Sequence, residues 1–215
     1  KTLRAFLKRV QAVKRAEAFT IAVARQLITM GVVDWHVLFF DGHFIPYFGQ
    51  HAIRHGYFTV RRLAIKGQQA FYANDRHGRP LLVLLQPGSA KLYAVIPAMI
   101  GLLKRIVGSQ WGRWVLTVVF DRGGWCVEFL QKLDQAQVYW GTWLELTRAA
   151  QDWVDQLHNT MFDLHTIQLN TTETKVWLAE VGVYIPGYGF CRAVVIDDRD
   201  HHRLEGSDVA ERLVE

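Results

Sequence analysis

The chain is 215 residues long with a mass of 24.8 kDa, half of it apolar and 21% charged; this excludes a disordered segment and leaves room for one large domain or one domain with an insertion. Two cysteines, Cys126 and Cys191, with no CxxC spacing exclude a disulfide framework and a cysteine-based zinc cluster, so both are expected as reduced thiols. The net charge of +5 is uneven: through Lys66 there are 11 Lys and Arg against 3 Asp and Glu, leaving 14 against 17 for the rest, a split that suits a polyanionic partner or, equally, a solvated basic helix.

Thr2 to Met30 reads as one or two helices. Leu3, Phe6, Leu7, Val10 and Val13 recur at three- and four-residue spacing, Arg4, Lys8, Arg9, Lys14 and Arg15 take the other face, and Gly31 is placed to end the run. Asp34 to Phe40 reads as a buried strand, and Tyr57 to Ile65 as a second. Phe71 to Ala73 and Leu81 to Leu85 flank Asn74 to Pro80, a turn-rich link of hairpin type, so three antiparallel strands in succession are expected. Ala90 to Val107 reads as a helix with Ser89 as its N-cap, with a kink or late start at Pro97. Trp114 to Phe120 is a central strand, Cys126 to Leu133 a helix and Val138 to Leu146 another strand.

This order describes a mixed α/β sheet in which the first strand and the fourth can be neighbours. From Thr166 the pattern changes to strands at Thr166 to Leu169, Lys175 to Val183 and Phe190 to Ile196. The chain thus divides into a helical segment over 1–33, an α/β core over 34–150 and a β-rich portion over 151–215. Phe19 to Val33 is interrupted by Arg25 and Gln26 and falls short of the roughly 18 apolar residues of a membrane span, so a cytoplasmic protein without a membrane partner is expected.

Two segments carry the chemistry. Val37 to His43 and Val115 to Gly124 each run through β-branched and aromatic residues into one aspartate, Asp41 or Asp121, followed at once or after Arg122 by glycine. Two carboxylates delivered to one sheet edge could hold a magnesium ion, which takes oxygen ligands and keeps waters and substrate phosphate for the rest. Asp-Gly after an apolar run is also a hairpin-turn signal, and Asp121 could simply accept backbone hydrogen bonds at the start of the helix near Cys126. Both readings stand on the residues.

The stretches Asp41 to Gly49, Gly56 to Leu63, Asn74 to Leu81 and Phe120 to Trp125 resemble bacterial insertion-sequence transposases of the DDE type, and the similarity runs from about Leu3 to Ile196. That resemblance implies a ribonuclease H-like mixed sheet with flanking helices, the first catalytic aspartate ending the first strand (Asp41) and the second ending the fourth (Asp121). It implies magnesium or manganese held by Asp41 and Asp121, phosphodiester cleavage and strand transfer, DNA partners at the element ends and target, a homodimer on DNA, and a nucleoid-associated bacterial protein. It also implies a β-rich insertion after the fifth strand, similar to what Thr166 to Ile196 looks like, and after it a helix bearing a third acid. Glu205, Glu211 and Glu215 lack the expected context, and Lys1 stands where methionine would begin a reading frame. The core is expected to be truncated at the C-terminus, with the third acid in the missing part, and a non-catalytic remnant or DNA-binding domain is the alternative.

Arg61, Arg62, Lys66 and Arg122 lie in the motif segments and are the expected phosphate contacts. His43, His51 and His55 lack zinc spacing and read as surface or DNA-contacting side chains. Asp197 to His202 reads as a solvated hairpin tip. Trp111, Trp114, Trp125, Trp140 and Trp143 are expected in the core, with one of them near the site able to stack on an unpaired base.

Overall fold

The computed structural model describes residues 2–12, 15–58, 61–144, 148–169 and 172–197. Two helices come first, α1 (Thr2–Ala12) and α2 (Ala16–Thr29), with the Phe6 and Phe19 rings meeting edge to face at 5.5 Å. Gly31 ends α2 as its position suggested. It adopts φ +66° while its N–H bonds Ile28 O and the Val32 N–H bonds Leu27 O, the paired closure that a left-handed residue makes possible.

The central sheet is mixed. Strands β1 (Val37–Pro46), β2 (His55–Phe58), β3 (Leu63–Asp75) and β4 (Pro80–Pro87) are followed by helix α3 (Leu92–Val107), β5 (Thr117–Phe120), helix α4 (Val127–Gln135) and β6 (Tyr139–Thr142). The order is β2-β3-β1-β5-β6, with β4 also on β3. The pairs β1–β3, β2–β3 and β3–β4 are antiparallel, whereas β1–β5 and β5–β6 are parallel. Parallel neighbours need a crossover, and α3 and α4 supply it.

The hairpin expected between Asn74 and Pro80 is present. Gly78 turns at φ +71° and the Asp75 N–H bonds Arg79 O. Asp75 is 1% exposed, and its carboxylate accepts from the N–H groups of Asp34, His77 and Arg79 and pairs with the Arg79 guanidinium at 3.1 Å. A buried carboxylate is tolerated because every lone pair direction is answered.

One face of the sheet is covered. Leu38, Phe40, Phe71, Ala73, Leu82, Val118 and Phe120 pack with Ile96, Met99 and Leu103 of α3, Leu130 of α4 and Ala24 of α2. The segment Leu92–Gln110 is long and apolar enough to cross a membrane, but Leu92, Ile96, Met99, Leu103 and Ile106 bury their side chains in this core. The other face stays largely open, with Val83, Leu85 and Tyr139 between 42% and 67% exposed.

After α5 (Arg148–Val154) come three antiparallel strands, β7 (Asp163–Leu169), β8 (Thr172–Ile185) and β9 (Gly189–Asp197), close to the expected β-rich portion. Their β8–β9 turn touches the main sheet unit: Tyr188 donates to Asp134 of α4 and stacks edge-on against Trp140, and Gln131 bonds Gly187 O at 2.8 Å.

Several expectations are corrected. The first strand does not stop at Phe40 but continues to Pro46, because the long β3 supplies partners as far as Gly67. The expected strand Tyr57 to Ile65 is instead the end of β2 and the start of β3, which pair with each other. Ser89 does not cap α3; the chain turns through Pro87 O to Ala90 N–H and the helix starts at Leu92 behind an extended Lys91, with Pro97 inside its second turn. The strand expected from Trp114 begins at Thr117.

Candidate functional site

Strand alternation fixes where the two aspartates stand. In the parallel β1–β5 pair, Phe40 is the partner of Phe120, and both rings lie on the covered face at 2% and 3% exposure. The next residue on each strand is Asp41 and Asp121, and successive side chains alternate between faces. Asp121 keeps extended backbone, φ −73° and ψ 178°, so it continues the alternation one residue past the last rung. Both carboxylates are exposed, on the open face, on strands about 4.8 Å apart.

The glycines that follow have local reasons. The Gly42 N–H bonds Asp41 Oδ1 at 2.7 Å, and the Gly123 N–H bonds Asp121 Oδ1 at 2.9 Å. A Cβ on Gly124 would stand 2.3 Å from the Phe120 ring, because a 3-10 turn over Arg122–Gly124 folds back on that side chain. A Cβ on Gly42 would meet Gln69 at 2.8 Å and the Phe71 ring at 3.0 Å. Asp121 accepts one backbone N–H, from Gly123 in the 3-10 turn, and does not cap the helix near Cys126, while Asp41 sits mid-strand and not in a hairpin turn: β1 runs five residues beyond it.

Oδ1 of each aspartate accepts one backbone N–H, and Oδ2 of each has no hydrogen bond among the described residues. Two exposed carboxylates on one face are hard oxygen donors of the kind a magnesium or manganese ion takes. Among the described residues no three His, Cys, Asp or Glu side chains converge. Glu205, Glu211, Glu215 and the stretch from Asp198 to His202 lie outside the described residues.

Sequence reading missed the neighbours of this pair. Tyr72 is the β3 partner of Asp41 and shares its face, His43 follows two residues on along the same face, and the Thr142 hydroxyl donates to Asp121 O at 3.2 Å. Only the two-residue alternation of His43 was legible; Tyr72 and Thr142 are brought in by pairing.

The expected phosphate contacts divide. Arg122 is exposed and directly follows Asp121. Arg61, Arg62 and Lys66 are not beside the acids: Lys66 stands six residues along β3 from Tyr72, on the order of 20 Å at strand rise. Arg61 and Arg62 lie farther still, Arg62 in a left-handed turn at φ +51°. His51 stacks on Tyr47, and His55 is exposed at the start of β2. The tryptophans also divide. Trp111, Trp125 and Trp140 pack against the core as expected, but Trp114, between the Gln110–Arg113 segment and β5, and Trp143, just past the end of β6, are 63% and 39% exposed.

In comparison with known proteins, no family model matches the chain, and no curated protein matches it.

Proposed function

We propose that this chain is the catalytic domain of a DDE-type DNA transposase, built on a ribonuclease H-like sheet, which cleaves a phosphodiester and transfers the freed strand with magnesium or manganese held by Asp41 and Asp121. The observation that carries the reading is the shared rung of Phe40 and Phe120, which sets those two acids side by side on the open face. The strand arrangement supports it: three antiparallel strands, β1, β3 and β4, then β5 and β6 added parallel to β1 across helical connections.

A bound divalent ion would neutralise the phosphate and lower the pKa of an attacking water or hydroxyl. The chain's own part is positional. Gly42 and Gly123 orient the two carboxylates through their N–H groups, and Arg122 places a cation where the DNA backbone would approach Asp121. DNA at the element ends and target is the partner in this reading, with a homodimer on DNA.

The second reading, a DNA-binding remnant without catalysis, is favoured by one fact: no third acid joins Asp41 and Asp121 among the described residues. A Mn²⁺ titration followed by calorimetry, on the wild type and on Asp41→Asn and Asp121→Asn, tests the site directly. Saturable binding lost in both variants supports it, and binding unchanged in either removes it. Nicking of supercoiled DNA in Mg²⁺ by the wild type and not by the variants separates the transposase reading from the remnant.

A further inference from the structure

Away from the acids, the segment between α3 and β5 builds an aromatic surface for which the proposed chemistry has no use. Gln110 to Arg113 forms a type II turn: Trp111 has φ −60° and ψ 132°, Gly112 has φ +84°, and the Arg113 N–H bonds Gln110 O at 3.1 Å. Only a glycine takes that third position without strain, and it points Arg113 and Trp114 outward. Trp111 and Trp114 are joined across the turn by a backbone bridge.

The rings are backed from the core. Trp35, 3% exposed, stacks on Trp111 at 6.3 Å with planes 22° apart and on His36 at 4.7 Å and 28°. His36 in turn receives Trp114 edge to face at 5.2 Å. Lys104 Nζ sits 4.8 Å from the Trp111 ring centre. The result is a run of rings from the interior to the surface, ending in a tryptophan that is 63% exposed, with the exposed Arg113 next to it in the chain and Lys104 lying on the neighbouring Trp111 ring.

We infer that the Trp111–Trp114 turn is a stacking platform for single-stranded nucleic acid, with Trp114 meeting an unpaired base and Arg113 and Lys104 meeting the flanking phosphates. A held ring that leaves much of its surface in water suits a flat π-system, and adjacent cations suit a phosphodiester backbone. An acidic peptide would match the charge, but a glutamate or aspartate side chain offers no flat π-system to an exposed indole face, whereas an unpaired base does. The platform stands apart from the carboxylate pair: Trp114 precedes Asp121 by seven residues, on the order of 20 Å at the other end of β5. The inference therefore goes beyond the metal reading and does not rest on it.

Fluorescence anisotropy of labelled single-stranded dT12, the matching duplex and a labelled poly-glutamate peptide, each against the whole chain, tests it. The single strand should bind more tightly than the duplex, lose about tenfold or more in Trp114→Ala and keep most of its affinity in Trp114→Phe. Arg113→Ala should lower the salt dependence by about one phosphate. The double variant Asp41→Asn/Asp121→Asn should bind dT12 as the wild type does, whatever the fate of metal binding. Unchanged dT12 affinity in Trp114→Ala, with circular dichroism showing the variant folded, overturns the platform, as does loss of dT12 binding in the double acid variant. Trp114-dependent binding of poly-glutamate in preference to dT12 overturns the nucleic-acid assignment in favour of an acidic protein.

Discussion

Phe40 and Phe120 share one rung of the parallel β1–β5 pair, both turned into the core, and this places Asp41 and Asp121 side by side on the opposite face. Two like charges on adjacent strands repel unless a cation lies between them. Without metal, Asp41→Asn should therefore raise thermal stability, by about 0.5 kcal/mol or roughly 1–2 °C in a chain of this size. With millimolar Mn²⁺ the order should reverse, because only the wild type gains the stabilisation of a bound ion. Thermal scans with and without Mn²⁺ check both halves, and a variant that melts below the wild type in chelator refutes the first.

Asp75 is the buried hub under the β3–β4 hairpin. Asp75→Ala would strand three backbone N–H groups and remove the carboxylate from the Arg79 guanidinium, which also donates to Val32 O. The expected loss is about 3 kcal/mol or more by urea denaturation, with Asp75→Asn intermediate because it keeps an acceptor.

Three glycines crowd Phe44. A Cβ on Gly56 would stand 2.3 Å from Gly88 O and 2.5 Å from the Phe44 ring, and one on Gly67 would stand 2.2 Å from the same ring. Backbone cannot rotate away as a side chain can, so Gly56→Ala should cost about 1–3 kcal/mol. Gly182→Ala in β8, where a Cβ meets nothing within 4 Å, is the control and should leave the melting temperature nearly unchanged.

Gln137 closes α4 at φ +53°, its N–H on Asp134 O and the Val138 N–H on Leu133 O, the same closure that Gly31 gives α2. A side chain in that conformation is strained, so Gln137→Gly should stabilise the protein by about 1 kcal/mol, read from the urea midpoint at unchanged slope.

Tyr188 ties the β8–β9 turn to α4. Burial, followed by its hydrogen bond to the Asp134 carboxylate and that group's charge, pushes its hydroxyl up to about 12. A group whose folded pKa is raised gives its full stabilisation below its unfolded value near 10 and loses it as the pH climbs through 12. Alkaline titration of stability should fall over that window in the wild type, and Tyr188→Phe should flatten the fall.

Periodicity in the sequence determined the elements: the 3.6-residue spacing of Leu92, Ile96, Met99 and Leu103, the Gly31 stop, the hairpin between Asn74 and Pro80, and the apolar runs ending at Asp41 and Asp121. These are local properties, set by backbone sterics and by which face of an element is apolar. Pairing partners are not local. That β1 runs on past Asp41 follows from the length of β3, that Tyr72 and Thr142 join the acids follows from register, and that Lys66 stands far along β3 follows from strand rise. Trp114 lies outside because Gly112 turns the chain, a fact invisible to an apolarity count. The acids were named by the sequence; their adjacency was decided by the hydrogen-bonded register between strands 80 residues apart, where a slip of one residue would turn one carboxylate into the core.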